Sequence, residues 1–253
     1  MSRAAHIALA LAVAAGAAAA DPIEPRVLTA PTAWLPPANA AVATAGVDTR
    51  GDGSIGVDAG LVGLAAVELG VDSDARACGS PPCGTGEGQA LAAAIHLVRA
   101  AFRIGAHQDA WFAGQPALIF GVRETIGGAH AIGEAYVVAS RVVGPLRVHA
   151  GATALDAGAG TSLRPLAGLE YTPPQVPKTT LIGDVAWEPR FDLAATNLEW
   201  VAGIGVRYQA FVWGAIELDY RAREGEDLTG STVLVRVVGH WPPEVCARRC
   251  RRR

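Results

Sequence analysis

The sequence predicts a transmembrane antiparallel β-barrel of about twelve strands, and three observations carry that prediction. First, 51% of the 253 residues are hydrophobic and the mean hydropathy is +0.26. Beyond residue 20, however, no run approaches the ~18–20 apolar residues that a membrane helix needs. Second, apolar residues alternate with polar or small ones in run after run, the period of a strand with one apolar face. Third, the links between runs are mostly short at one end and long at the other, as in bacterial transmembrane barrels.

The first residues, MSRAAHIALALAVAAGAAAADP, are set aside from the fold. Arg3 lies in a short charged region, an apolar stretch follows from Ile7 to about Ala15, and Ala18-Ala19-Ala20 precedes Asp21. That is the pattern of a secretory signal cleaved near Ala20, which places the mature chain outside the cytoplasm. Residues 21–39 hold Pro22, Pro25, Pro31, Pro36 and Pro37 and read as a Pro-rich periplasmic lead-in.

Twelve alternating runs follow, at about 41–49, 53–60, 64–73, 91–105, 116–124, 132–142, 145–155, 164–172, 179–188, 198–208, 211–222 and 231–241. The fourth, LAAAIHLVRAAFRIG, suits a helix as well as a strand, because its alanines fit either. No linker or composition shift divides the runs, so residues 40–241 form one barrel domain, followed by an Arg/Cys-rich tail at 242–253. One end of the sheet carries LVG, VGP, TPPQVPK and QAF, with AHQDAWFAGQ as its longer link. The other carries TRGDG, the cysteine-bearing SDARACGSPPCGTGEGQ, TIGGAHA, AGAGTSLR, PRFDLAATN and AREGEDLTG.

Alternation separates two faces. One parity collects Asp48, Asp58, Glu68, Asp72, Arg99, Arg103, Arg123, Arg147, His149, Thr153, Glu170, Asp184, Glu199, Arg207, Glu217, Asp219, Arg221 and Arg236. The other is Val, Leu, Ile, Ala and aromatics, as in Val233, Val235, Val237 and Trp241. A soluble sandwich alternates too. The aromatics distinguish the two, for Tyr171, Trp187, Trp200, Tyr208, Tyr220 and Trp241 fall on the apolar parity near run ends. Rings prefer the headgroup level of a bilayer, whereas a protein core would place them centrally. On this reading Trp187, Trp200 and Tyr220 mark one rim, and Tyr171, Tyr208 and Trp241 the other. QAF is then a tight turn.

A net charge of −3, with no basic-aromatic platform, argues against nucleic acid. The Arg248, Arg249, Arg251, Arg252 and Arg253 run reads as solvated. In an oxidising compartment the candidate disulfides are Cys78–Cys83, flanking GSPP, and Cys246–Cys250; the spacing lacks the histidines of a zinc site. No metal or cofactor is expected. The charged parity is the candidate lumen lining, either a selectivity surface or a closed network of cross-strand pairs. About twelve strands enclose a narrow interior, and the favoured form is occluded or very narrow.

The stretch PALIFGVRETIGGAHAIGEAYVVASRVVGPLRVHAG, residues 116–151, resembles a pattern in Gram-negative outer-membrane barrels associated with exopolysaccharide production. There a P-A-x-x-x-G-x-R strand precedes E-x-Y-V-V-A-S-[RK], G-P and the next strand; YTPPQVPKTTLIGDVAWEPRF and GIGVRYQAFVWGAIELDYRAREGEDL resemble later parts of it. The resemblance implies an outer-membrane location, a porin-like or structural envelope role, and a link to exopolysaccharide export. Its implied partners are outer-membrane lipid, the outer-membrane assembly machinery and polysaccharide-export components. Such barrels end on an aromatic; here residues follow Trp241, a departure. Two alternatives belong to other classes: an envelope-lipid-modifying barrel enzyme and a soluble periplasmic β-sandwich binding module. The sequence is not expected to encode an enzyme, for it contains no phosphate loop, HExxH or GxSxG. His96 sits alone on the lipid parity, which leaves His149 with Ser140 or Asp184 as the constellation to inspect.

Overall fold

The computed structural model describes residues 26–49, 51–74, 95–127, 130–156, 161–191, 196–211, 213–225 and 231–241. Twelve strands form in chain order: β1 (Ala41–Asp48), β2 (Gly53–Gly60), β3 (Ala65–Asp74), β4 (Ile95–Ala106), β5 (Ala117–Gly127) and β6 (His130–Val143), then β7 (Leu146–Asp156), β8 (Thr161–Tyr171), β9 (Thr179–Phe191), β10 (Thr196–Phe211), β11 (Gly214–Arg223) and β12 (Thr232–Trp241). Each pairs antiparallel with its chain neighbours, and β1 pairs with β12, from Ala41↔Trp241 to Asp48↔Leu234, so the sheet closes. A single closed sheet has no free edge. It also overturns the sandwich alternative, which needs two stacked sheets. The ambiguous fourth run is a strand over Ile95–Ala106, its ladders to β3 and β5 deciding what its alanines left open. The expected signal segment, the four cysteines and the Arg-rich tail lie outside the described residues.

Among the described residues no second layer covers the outer wall. Every strand exposes large apolar side chains there, among them Ile55, Leu69, Phe102, Val122, Val137, Val148, Leu181, Ile204, Leu218 and Val237. An apolar belt continuous around a closed barrel far exceeds the few hundred Å² of apolar patch that water tolerates. Outward charges fall near strand ends: Glu124 in β5, Arg141 in β6 and Asp156 in β7. This distribution matches a hydrocarbon medium bounded by headgroups. Ile204, 67% exposed near the middle of β10, tests it directly. Ile204→Arg should destabilise the barrel by about 2–4 kcal/mol in urea unfolding from lipid vesicles. A change near zero would mean that the belt faces water.

Two local expectations are corrected. QAF is not the turn: β10 continues through Phe211, with a register irregularity between Tyr208 and Phe211. Gln209 accounts for it by donating from Nε2 to the carbonyls of Phe211 at 2.7 Å and Gly214 at 3.2 Å, while Phe211 stacks on Trp213. Trp187 is not a rim residue of the outer face. Its ring packs against Leu97, Ile132 and Leu155, which lie on the buried parity of β4, β6 and β7. Trp200, Tyr208 and Trp241 are exposed on the outer face.

At the end where β1 starts and β12 finishes, the link between β4 and β5 folds back on the wall. Gln108 Oε1 accepts the Val142 N–H at 2.8 Å, and Asp109 accepts the Gly114 N–H at 2.6 Å. The Gly114 amide, helped by Gln108, holds the exposed Asp109 carboxyl below its ordinary range.

Candidate functional site

Residues preceding β1 do not stay outside the barrel. Val27, Leu28, Ala30, Ala33, Trp34 and Leu35 are all buried. Their partners lie on β3 (Glu68), β6 (Ser140), β7 (His149), β9 (Asp184), β10 (Arg207) and β12 (Arg236). Only the interior of a closed sheet touches strands on all these sides. The Pro-rich lead-in is therefore, over residues 26–36, a segment lodged in the lumen.

Its conformation follows from its hydrogen bonds. The Val27 N–H donates to the Ala30 carbonyl at 3.0 Å, and Arg26 bridges Pro31, so the segment turns tightly at Leu28-Thr29. A turn buried in a barrel strands its backbone groups unless the wall supplies partners. Here the wall does so by charge. Asp184 Oδ2 accepts three consecutive amides, from Leu28 at 3.1 Å, Thr29 at 2.6 Å and Ala30 at 2.6 Å, an anion in a backbone nest. The carbonyls go to arginines: Arg207 Nη2 donates to Val27 at 3.1 Å and Arg236 Nη1 to Leu28 at 3.2 Å. Two wall glycines make room. A Cβ built at Gly203 would meet Leu28 Cδ1 at 2.7 Å, and one at Gly168 would meet Val27 Cγ2 at 2.7 Å. Nearer the β1 end, the Asn39 N–H donates to the Gly60 carbonyl and the Gly60 N–H to Ala40. Trp34, Leu35 and Ala33 pack with Ile119, Tyr136, Val138 and Leu166.

The remaining inward charges are largely paired. Glu170 on β8 receives Arg147 at 3.1 Å, Arg207 at 3.0 Å and His149 Nε2 at 3.2 Å. Glu217 on β11 takes Arg207 and, at 3.3 Å, Arg236, which also reaches Asp219 at 3.3 Å. Arg99 pairs with Asp72, Arg103 with Asp58, Arg123 with Glu134, and Arg26 with Glu68. Arg223 lies between Glu188 and Glu199. Arg221 borders a space of about 150 Å³ beside the lodged segment, whose lining runs from Asp48 and Gly53 at the long-link end to Val42 and Val238 toward the other and includes Thr29, Arg99 and Trp187.

The histidine constellation resolves with Ser140 and not with Asp184, which grips the lodged turn. Ser140 Oγ lies 2.8 Å from His149 Nδ1, and Nε2 bonds Glu170. The contact chain of a hydrolytic relay, serine to histidine to carboxylate, is present, but Ser140 Oγ also accepts the Ala33 N–H at 2.7 Å. Trp34 meets the His149 ring edge-on at 6.1 Å. All three relay residues are buried. The His96 side chain lies outside the described ones, and among the described residues no His/Cys/Asp/Glu group could hold a metal ion.

No family model matches the sequence, and no curated protein matches it. Solved structures do. A KdgM porin aligns over 79% of this chain and 98% of its own with a TM-score of 0.55 at 8% identity. A KdgM porin in complex with disordered oligogalacturonate gives 0.53 at 7% identity, over 79% and 97%. The NanC porin gives 0.51 at 10% identity, over 79% and 98%. At such identities the likeness is one of fold: a closed antiparallel barrel of the porin kind.

Proposed function

We propose that the chain is a Gram-negative outer-membrane barrel whose narrow channel is held closed by its own N-terminal segment. The observation that carries this reading is the grip of Asp184, Arg207 and Arg236 on the turn at Val27–Ala30. A merely structural plug would need only apolar packing. This one is held through a buried carboxylate, Asp184, and through Arg207 and Arg236, which also belong to the wall's ion pairs, so it is released when those charges are changed. In planar bilayers the full-length protein is expected to be silent or to open briefly. A steady, wide conductance from the intact chain would overturn closure.

The neighbour bound to oligogalacturonate suggests a saccharide as the class of solute. Selectivity here is expected to be weak in sign, because the lumenal arginines are mostly matched by carboxylates. Once opened, the channel in a tenfold salt gradient should show a zero-current potential close to zero. A strongly anion-selective potential would contradict the pairing. The finer reading, a place in exopolysaccharide export beside other export components, rests on the resemblance of residues 116–151. Its test is loss of surface polysaccharide when the chain is deleted from its host, restored by the full-length chain.

A hydrolytic reading has one observation in its favour, the Ser140–His149–Glu170 alignment. We assign that alignment to closure, since Ser140 accepts the Ala33 N–H and Trp34 packs edge-on against the His149 ring. His149→Ala should therefore leave vesicle lipids unhydrolysed, as the intact chain does. Lipid turnover by the intact chain that this change abolishes would reverse the assignment.

A further inference from the structure

Neighbouring strands in this wall pair over nearly their whole shared length, except β8 and β9. Their ladder runs from Tyr171↔Leu181 to Ala167↔Val185 and stops. Yet β8 continues to Thr161 against β7, and β9 continues to Phe191 against β10. Unpaired backbone groups in a lipid-facing wall are costly, so the break needs a cause. Pro165 provides one. Its carbonyl accepts Trp187 Nε1–H at 3.1 Å, so it faces β9. A strand residue offers its N–H and C=O to the same neighbour, and the N–H that proline lacks is the one β9 would have received.

Trp187 fills the break. The alternation along β9 sends it outward with exposed Leu181 and Val185, but its ring turns in through the gap onto Leu97, Ile132 and Leu155. It thereby joins an inward apolar cluster to the outer surface, where Leu163 is 73% exposed. Arg164 lies over the ring at 4.7 Å. Among the described residues no carboxylate pairs with Arg164, and its Nε has no hydrogen-bond partner.

We propose that the β8–β9 seam is a lateral port for one long-chain fatty acid from the adjoining leaflet. Its hydrocarbon chain takes the place of the Trp187 indole against Leu97, Ile132 and Leu155, and its carboxylate is held by Arg164. A guanidinium selects an anionic head. The adjacent lumenal space is lined by charged side chains such as Arg99, Glu188 and Arg221, so the hydrocarbon goes no further than Leu97, Ile132 and Leu155, a site with room for one chain and not for lipids with several. Only one indole has to move.

The test uses the full-length protein in phosphatidylcholine vesicles with a fatty acid bearing a photoreactive diazirine near its methyl end. After illumination, peptide mass spectrometry should find labels on Leu97, Ile132 or Leu155 as well as on outward Leu163 and Val185. Leu155→Trp should cut the inward labels about tenfold and spare the outward ones. The matching fatty alcohol should label the inward residues about tenfold less than the acid, and Arg164→Gln, whose fold is checked by heat-dependent gel mobility, should bring the acid down to the alcohol's level. Labels confined to outward residues would overturn the port, and equal inward labelling by acid and alcohol would overturn the role of Arg164. Conductance is not read, so either failure leaves the channel reading standing.

Discussion

Deleting residues 26–35 should turn a silent protein into a conducting one, with stepwise openings in planar bilayers at currents well above those of the intact chain. The segment occupies the lumen against β5 and β6, where Trp34 and Leu35 pack with Ile119, Tyr136 and Val138. A point substitution should show the same effect in graded form. Asp184→Ala removes the acceptor of three buried amides, and each buried donor left unsatisfied costs about 1–3 kcal/mol. Since ~1.4 kcal/mol is tenfold in an equilibrium, open probability should rise by at least about tenfold. Gly203→Val should act in the same direction by sterics, because a side chain there collides with Leu28. Heat-dependent gel mobility confirms that each variant is a folded barrel. A folded deletion variant that stays silent would sink the channel, because the lumen would then be closed by the wall itself.

The barrel was legible in the sequence because its physics is local. The alternation of Trp200–Tyr208 and Ala215–Arg223 assigns each residue a face before any neighbour is known, and the turn residues count the strands. An even number of antiparallel strands lets β12 pair with β1, and the structure closes the sheet there. What local reading missed is where a ladder fails. Trp187 has the outward parity of a rim residue, and only the absence of pairing beyond Val185 lets its ring turn inward. Pro165 was the available signal, because proline in a strand between two neighbours withholds a donor from one of them. The extension of β10 past Gln209 was hidden for a similar reason: a side-chain amide stands in for turn chemistry.

The lodged segment was less legible. It has no period, and proline-rich chain ordinarily reads as an exposed spacer. One signal was present, for VLTAPTAWLP sets Val27, Leu28, Trp34 and Leu35 in an extended segment with no partner strand. Such side chains need burial, and the barrel offers no place for them except inside. Parity could bring Glu217 and Arg207 to one face, but it could not say that Arg207 also holds the Val27 carbonyl across 180 positions of sequence. Contacts of that separation depend on the closed sheet and not on any spacing in the chain.

Glu170→Leu should lower the stability of the folded barrel by about 3–5 kcal/mol in urea unfolding from lipid vesicles, the cost of breaking a buried ion pair from one side. Glu170 is fully buried and answers Arg147, Arg207 and His149 together, so its loss leaves Arg147 without its partner and Arg207 with only Glu217. Those partners are unequal. Arg147 is the more exposed and can turn toward water, whereas Arg207 is buried between Glu217 and the lodged turn. The penalty should therefore fall mainly on Arg207. Arg207→Leu in the Glu170→Leu background should cost less than Arg207→Leu alone, by about 0.5–3 kcal/mol of coupling. Arg147→Leu in the same background should couple more weakly than Arg207→Leu, because Arg147 can turn toward water. Equal couplings for the two arginines would show that water reaches Glu170 from both sides, and the interior would then be a hydrated channel even with the segment in place.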